Sequence, residues 1–213
     1  MEVFLETERL VLRRFTAADA DYLVDLDGDP EVMRYLTGGA PTPRNVIERD
    51  ILPRFLRYDE RSAGYGFWAA IEKATGDFLG WFSFRPPDGA GPEEVELGYR
   101  LRRAAWGRGY ATEGSRALIR KGFAELGVRR VFATTYQDNL ASRRVMEKVG
   151  MTLVRTYRLT PADLAAEGTF HSTAQEVWDG DDVEYALERA DWERREAAGA
   201  RQAGSPGGDH HAE

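Results

Sequence analysis

The chain has 213 residues, 29 Lys plus Arg against 36 Asp plus Glu for a formal net charge of −7, three His and no Cys. Without a thiol there is no disulfide framework, no thiolate zinc site and no cysteine nucleophile. A pI near 5.2 argues against a nucleic-acid binder that works by neutralising phosphates.

The 42% hydrophobic share can fill one substantial core, so a single domain is expected over residues 1–196. No apolar run approaches the roughly 20 residues that span a bilayer. The opening Met-Glu-Val-Phe-Leu-Glu-Thr-Glu lacks the basic and apolar regions of a secretory leader, so the expected location is cytoplasmic, with no membrane partner.

Residues 9–14, Arg-Leu-Val-Leu-Arg-Arg, read as a first strand, and Thr16 as the N-cap of a helix running towards Asp27. After Asp29-Pro30 a short helix over 31–36 meets the Gly38-Gly39-Ala40-Pro41 break. Thr42 then caps a second helix through about Tyr58, which Pro53 should kink or divide. Residues 66–72 and 78–84 form a hairpin about Thr75-Gly76-Asp77. In the strand Glu94 to Leu101, Val95, Leu97, Tyr99 and Leu101 alternate with Glu96, Gly98 and Arg100, so one face is core.

Residues 110–126 read as a helix with Leu118, Ile119, Phe123 and Leu126 on one stripe, ended by Gly127. A strand over 131–136 leads to a helix from about Asn139 to Lys148, with Ala141, Val145 and Val149 in register and Gly150 as the stop. A strand over 152–158, a polar connection over 159–180 and a last strand over 182–188 complete the domain. Residues 197–213, rich in Ala, Gly and charge, are expected to form a disordered tail. The order of elements predicts an α/β or α+β domain with helices on both faces of one sheet.

The stretch Arg102-Arg103-Ala104-Ala105-Trp106-Gly107-Arg108-Gly109-Tyr110-Ala111-Thr112-Glu113 lies between a strand and a long helix. Two glycines there let backbone amides turn inward, and a helix start adds orphan N–H donors and a partial positive charge. That geometry binds a pyrophosphate. No Lys-Ser or Lys-Thr follows, as a P-loop requires, and no third glycine stands at dinucleotide spacing. On the glycines alone, a tight turn with no ligand is an equal reading.

The segment Trp106 to Ala111 resembles the acyl-CoA signature of the GNAT superfamily of N-acetyltransferases, Gln/Arg-x-x-Gly-x-Gly/Ala. Gly109 and Ala111 match its last two anchors, while Trp106 departs from the first. The longer string Trp-Gly-Arg-Gly-Tyr-Ala-Thr-Glu resembles the RimJ/RimL-type branch. Asn139-Leu-Ala-Ser142, continuing to Glu147-Lys148-Val149-Gly150-Met151, is similar to the family's Asn-x-x-Ser...Glu-Lys-x-Gly-Phe element, and Glu8 to Arg13 resembles the branch's opening strand. The likeness runs in order from about residue 6 to 192.

The resemblance implies the GNAT fold, a central mixed, mostly antiparallel sheet splayed at the acetyl-CoA site. It also implies direct transfer of an acetyl group from acetyl-CoA, as cosubstrate, to a protein N-terminal α-amine or a small-molecule amine. An aminoglycoside or polyamine acetyltransferase is the alternative within the family; an acyl-CoA-binding module without catalysis lies outside enzymes. Backbone amides from Arg108 through Thr112 would hold the pyrophosphate, with Trp106, Gly107, Arg108, Gly109, Tyr110, Ala111 and Thr112 as the cofactor-binding turn, near the cationic Arg102, Arg103 and Arg108. The strand edge at Tyr99 to Leu101 would pair with pantetheine. Asn139 and Ser142 would also face CoA.

Glu96 is the first choice of general base, with Glu113 and Glu147 as alternatives, and its other reading is a partner for a nearby Arg. Many family members carry a tyrosine acid seven residues after the motif asparagine; here Met146 stands there, which leaves Ser142 to assist the thiolate. Asn139 would bond pantetheine or hold a water, and a helix N-cap is an equal reading. His171, His210 and His211 show no ligand spacing, so no metal is expected, and Tyr35, Trp68 and Trp81 read as core or pocket wall. The oligomeric expectation is a monomer or homodimer.

Overall fold

A computed structural model describes residues 2–61, 64–87, 89–160 and 180–203. Its strands are β1 (Val3–Glu6), β2 (Leu10–Arg14), β3 (Gly66–Glu72), β4 (Phe78–Arg85), β5 (Glu94–Leu101), β6 (Arg130–Tyr136), β7 (Thr152–Tyr157) and β8 (Asp182–Glu188). They form one eight-stranded sheet in the order β1-β2-β3-β4-β5-β6-β8-β7. Every neighbouring pair is antiparallel except β5 and β6.

The helices are α1 (Ala20–Asp27), α2 (Pro30–Thr37), α3 (Arg44–Val46), α4 (Leu52–Arg61), α5 (Tyr110–Glu125), α6 (Leu140–Lys148) and α7 (Arg189–Ala203). Period-two alternation in the strands divides the buried side chains between two cores. In β3, Trp68 and Ala70 join Leu10, Leu12, Phe82 and Phe84 against the Leu118, Ile119 and Phe123 stripe of α5 and Met146 of α6. Phe67 and Ala69 face the other way, with Phe15, Phe78 and Trp81 against α1 and against Ile47, Leu52 and Phe55 of the α3–α4 segment. Each large apolar side chain so buried contributes about 1.5–3 kcal/mol. Trp192 of α7, its ring centroid 5.5 Å from that of Phe123, puts α7 on the α5 face.

The β3–β4 pairing shifts register between Ala70 and Ile71, opposite Gly80. Gly80 has φ +140°, and a Cβ there would run into the Arg100 carbonyl and Leu101 on β5. That position therefore needs glycine, and the bulge resets which residues of β4 face each core.

The mixed, mostly antiparallel sheet with helices on both faces is the fold expected from the motifs. Several details differ. A strand, β1, precedes the expected first one and pairs with it. Thr16 starts a 3-10 turn, Ala17–Asp19, before α1, and its N–H and hydroxyl both donate to Asp19 Oδ2 (2.7 and 3.1 Å).

Thr42 is not a helix cap. Pro43 takes that place, and the Thr42 hydroxyl donates to buried Asp27 (3.2 Å). The helical segment is divided as expected, by a π turn over Ile47–Ile51 just before Pro53, whose missing N–H cannot extend the α ladder. Ala141 is exposed, and Met146 with Val149 carries the buried side of α6. Helix α7 runs to Ala203, so residues 197–203 are helical where a tail was expected. Most of the polar connection, 161–179 with His171, and the chain from 204 with His210 and His211, lie outside the described residues.

Candidate active site

Strands β5 and β6 pair in register only at Glu94–Arg130, Val95–Val131 and Glu96–Phe132. Beyond those pairs β6 continues along β8 as far as Tyr136, while β5 continues along β4 as far as Leu101. The two strands therefore part, and each presents a free backbone edge to the gap. A wedge between parallel strands has room and hydrogen-bonding groups for an extended amide chain.

On the α5–α6 face, Tyr99 of β5 reaches Ser142 in the first turn of α6. The hydroxyls of the two residues are 3.0 Å apart, and Tyr99 also donates to the Ser142 carbonyl (3.1 Å). Burial pushes the Tyr99 hydroxyl up to about 12, partly offset by the Ser142 hydrogen bond, so it remains a donor at neutral pH. Sequence reasoning named both residues without joining them. Asn139 caps α6: its Oδ1 accepts from Ser142 N (3.3 Å) and its Nδ2 donates to Thr135 (3.1 Å). Met146 is buried in the core.

At the far end of β5, Arg103–Ala105 forms a 3-10 turn, Gly107 and Gly109 adopt φ +70° and +84°, and α5 begins at Tyr110. The left-handed backbone at both glycines explains their spacing. Glu113 N donates to the Gly109 carbonyl (3.0 Å), which leaves the first-turn amides of Tyr110, Ala111 and Thr112 aimed out of the helix start. Trp106 ties this turn to the strand, its Nε1 donating to the Leu101 carbonyl (2.8 Å). The Leu101 carbonyl is thus taken by Trp106, which leaves the unpaired part of the β5 edge centred nearer Tyr99.

The Trp106–Tyr110 turn is braced in part by Thr7, Arg9 and Glu72, which sequence reasoning did not select. Glu113 accepts from the Thr7 hydroxyl (2.6 Å), Arg9 N (2.9 Å) and Arg9 Nε (2.7 Å), and Arg9 Nη1 donates to the Arg108 carbonyl (2.9 Å). The Arg9 guanidinium lies 4.4 Å from the Tyr110 ring centroid. Tyr110 in turn donates to Glu72, which also accepts from Thr75 (3.0 Å). Burial acts to raise the Glu113 pKa, but the bonds from Thr7 and Arg9 more than offset it and hold the carboxyl below its ordinary value. Glu113 is therefore a brace and a poor base. The cations nearby are each beside a carboxylate: Arg102 with Asp25 (3.6 Å), Arg103 with Asp29 (3.5 Å) and Arg108 with Glu72 (3.4 Å).

On the opposite face Glu96 sits at the last paired position of β5 and accepts from Arg85 (2.7 Å), a side chain 1% exposed on β4. Glu147 is exposed on α6 and accepts from the Tyr185 hydroxyl (3.1 Å). Trp68 and Trp81 are core residues. Tyr35 of α2 is placed as a wall: its hydroxyl donates to the Asp138 carbonyl just beyond β6 (3.2 Å), and its ring centroid is 5.9 Å from that of Tyr136. Among the described residues no helix is long and apolar enough to cross a membrane, and no group of three or more His, Asp or Glu is placed to hold a metal ion.

A parted parallel strand pair, with a glycine-shaped helix start at its mouth, defines an enzyme class that holds an acyl-CoA along the gap. Residues 9–152 match the family model described as an acetyltransferase (GNAT) domain. The chain belongs to that family and is an acetyl-CoA-dependent acyltransferase. It is 32% identical over 185 residues to the FsC-acetyl coenzyme A-N(2)-transacetylase of Aspergillus fumigatus, covering 82% of this chain and 77% of that one. The uncharacterized N-acetyltransferase YoaA of Bacillus subtilis is 28% identical over 147 residues, 68% of this chain and 81% of its own.

Solved structures give the same fold. A GNAT-family acetyltransferase from Bacillus anthracis superposes with a TM-score of 0.67 at 23% identity, over 89% of this chain and 99% of that one. RimL, described as a ribosomal L7/L12 alpha-N-protein acetyltransferase in complex with coenzyme A, gives 0.66 at 18% identity, over 88% and 98%.

Proposed function

We propose that this enzyme moves the acetyl group of acetyl-CoA directly onto a primary amine, of a protein N-terminus or a small molecule, within one ternary complex. The observation that carries the reading is the parting of β5 and β6 after Glu96–Phe132. A thioester lying in that gap is open to attack from the Glu96 face while its sulfur lies towards Ser142. A chain without cysteine has no thiol for an acyl-cysteine intermediate, which favours direct attack.

The acceptor arrives as an ammonium and gives one proton through a water to Glu96, which passes it to solvent. The amine nitrogen then bonds to the acetyl carbon, and the carbonyl oxygen takes the negative charge. Collapse breaks the carbon–sulfur bond, the leaving sulfur takes the proton of the Ser142 hydroxyl, and the second proton of the nitrogen passes through water to the Ser142 oxygen, which restores it. Tyr99, donating to the Ser142 carbonyl, holds that hydroxyl at the gap. The products are an acetamide, free CoA and one released proton. The amides of Tyr110 to Thr112 supply the pyrophosphate contacts.

The likeness of the Trp106–Glu113 string to the RimJ/RimL branch makes protein N-termini the first acceptors to try. CoA release should be measured with N-terminal peptides, polyamines and aminoglycosides. Turnover of at least one class is expected; CoA binding with no turnover of any amine would overturn the reading in favour of a binding module. Glu96→Gln should lower kcat at least tenfold with acetyl-CoA affinity near wild type. Unchanged turnover removes Glu96 from the reaction.

A further inference from the structure

The α1–α4 face of the sheet is covered over β2, β3 and β4 by the second core, and on its β6–β8 part Glu184 and Ala186 are buried while Asp182 is half-buried. Phe132, Thr134 and Tyr136 of β6 share this face with Glu96 by strand register. Directly across in β8 stand Ala186, Glu184 and Asp182, and across from Asp182 in β7 stands Tyr157. Residues so paired have Cβ atoms about 4.5–5.5 Å apart, within mutual reach.

The charges on this face are almost all matched. Buried Glu184 accepts from Arg130 (2.7 Å) and Arg155 (2.8 Å), Arg130 also pairs with Glu94 and Glu188, and Asp181 lies 3.8 Å from Arg158. The Asp182 side chain is the exception, with no hydrogen bond or ion pair among the described residues. It is half-buried, between Tyr136 on one side and Tyr157 on the other. Tyr35 closes the same corner from α2, against Tyr136.

A carboxylate walled by aromatic rings has one fitting complement, a cation that meets both the charge and the ring faces. We propose that Asp182, walled by Tyr35, Tyr136 and Tyr157, is the subsite that holds an ammonium group of the acceptor. The proposal rests on the acetyl-transfer reading above and adds to it the residue that receives the acceptor's ammonium. Burial, with Asp181 adding to it, pushes the Asp182 carboxyl up to about 6, as expected of a carboxylate whose counter-charge arrives with a ligand. Because the Asp182 face adjoins the β5–β6 gap only across β6, the bound ammonium sits about one strand spacing, roughly 5 Å, from the gap's border.

The test titrates 1,5-diaminopentane, with 1-pentanol as the neutral control, into wild-type and Asp182→Asn protein saturated with CoA. Calorimetry should show the diamine bound at least tenfold more weakly by the variant, with 1-pentanol unaffected. Equal diamine affinity in the two proteins, or no binding by either, overturns the subsite. Steady-state assays run beside it should show the variant's effect in KM for the diamine and not in kcat, and Asp182→Glu should restore part of the affinity. Loss of turnover with the binding difference intact would count against acetyl transfer alone, so the two readings fail separately. The CoA affinity of Asp182→Asn should match wild type, which verifies its fold.

Discussion

Tyr99 and Ser142 act as a unit, because one hydroxyl orients the residue that carries the other. A net hydrogen bond contributes about 0.5–1.5 kcal/mol, so Tyr99→Phe should lower kcat by up to roughly tenfold while leaving the KM for acetyl-CoA within a few-fold. Ser142→Ala should cost as much or more, and the double variant little beyond Ser142→Ala alone; additive losses in steady-state assays would show that the two act separately. Asp182 makes the opposite kind of contribution. Its folded carboxyl is raised from 3.8 to about 6, so the native state binds more protons than the unfolded state across that window. Stability falls as pH rises through the window, and the whole loss persists above it. With the discount due to a partly exposed group, Asp182→Asn should gain about 1 kcal/mol at pH 7.5. That is a rise of about 2–4 °C in melting temperature, absent at pH 3.5. A fall at pH 7.5 would mean that Asp182 is a structural partner and not a waiting site.

At the scale of elements, the phosphate turn depends on the β1–β2 turn nearly as much as on its own glycines. Arg9 makes a forked contact with Glu113 and a third bond to the Arg108 carbonyl, and these join segments about a hundred residues apart. Arg9→Ala should weaken acetyl-CoA binding about tenfold by calorimetry, the effect of losing roughly 1.4 kcal/mol of positioning. Arg9→Lys should recover little, since an ammonium cannot reproduce the planar fork; full recovery would reduce the brace to simple charge. This brace also marks where the sequence stops being legible. Alternation placed Glu94–Leu101 at its observed bounds, the last strand was expected where Asp182–Glu188 lies, and the glycine punctuation placed α5 and the hairpin of β3 and β4 to within a residue. Those signals are local. Strand β1 was missed because an edge strand with a bulge buries little, and Val3 is 42% exposed. Helix α7 was missed because it packs chiefly through Trp192 and is otherwise charged. The Arg9–Glu113, Arg85–Glu96 and Tyr99–Ser142 pairs, and the place of Asp182 between two tyrosines, arise from strand register and helix docking, which no local pattern encodes.

At the scale of the whole molecule, the proposed CoA end relies on backbone amides and the proposed acceptor subsite on a carboxylate, an arrangement compatible with a net charge of −7. The sheet that separates them is itself two half-sheets, β1 to β5 and β6 to β7, joined within the sheet by the three β5–β6 pairs. Helices α5 and α6, together with the core they share, supply the rest of the joint. An extended amide chain lying in the gap would complete the hydrogen bonding of both free edges, so acetyl-CoA should stiffen the joint as well as occupy it. Hydrogen exchange followed by mass spectrometry should then show protection gained on binding in Gly98–Leu101 of β5, in Tyr110–Thr112 at the start of α5 and along the gap edge of β6. Amides of β1 and α4 that exchange by local opening should keep their rates, because none of their backbone groups faces the gap. At a hundredfold excess over Kd the same ligand should add about 2.7 kcal/mol to stability, a rise of roughly 5–10 °C in melting temperature. Uniform protection across the molecule would point to global stabilisation without a seat in the gap; protection confined to the α5 start would leave the pyrophosphate site standing and remove the strand-edge contact with pantetheine.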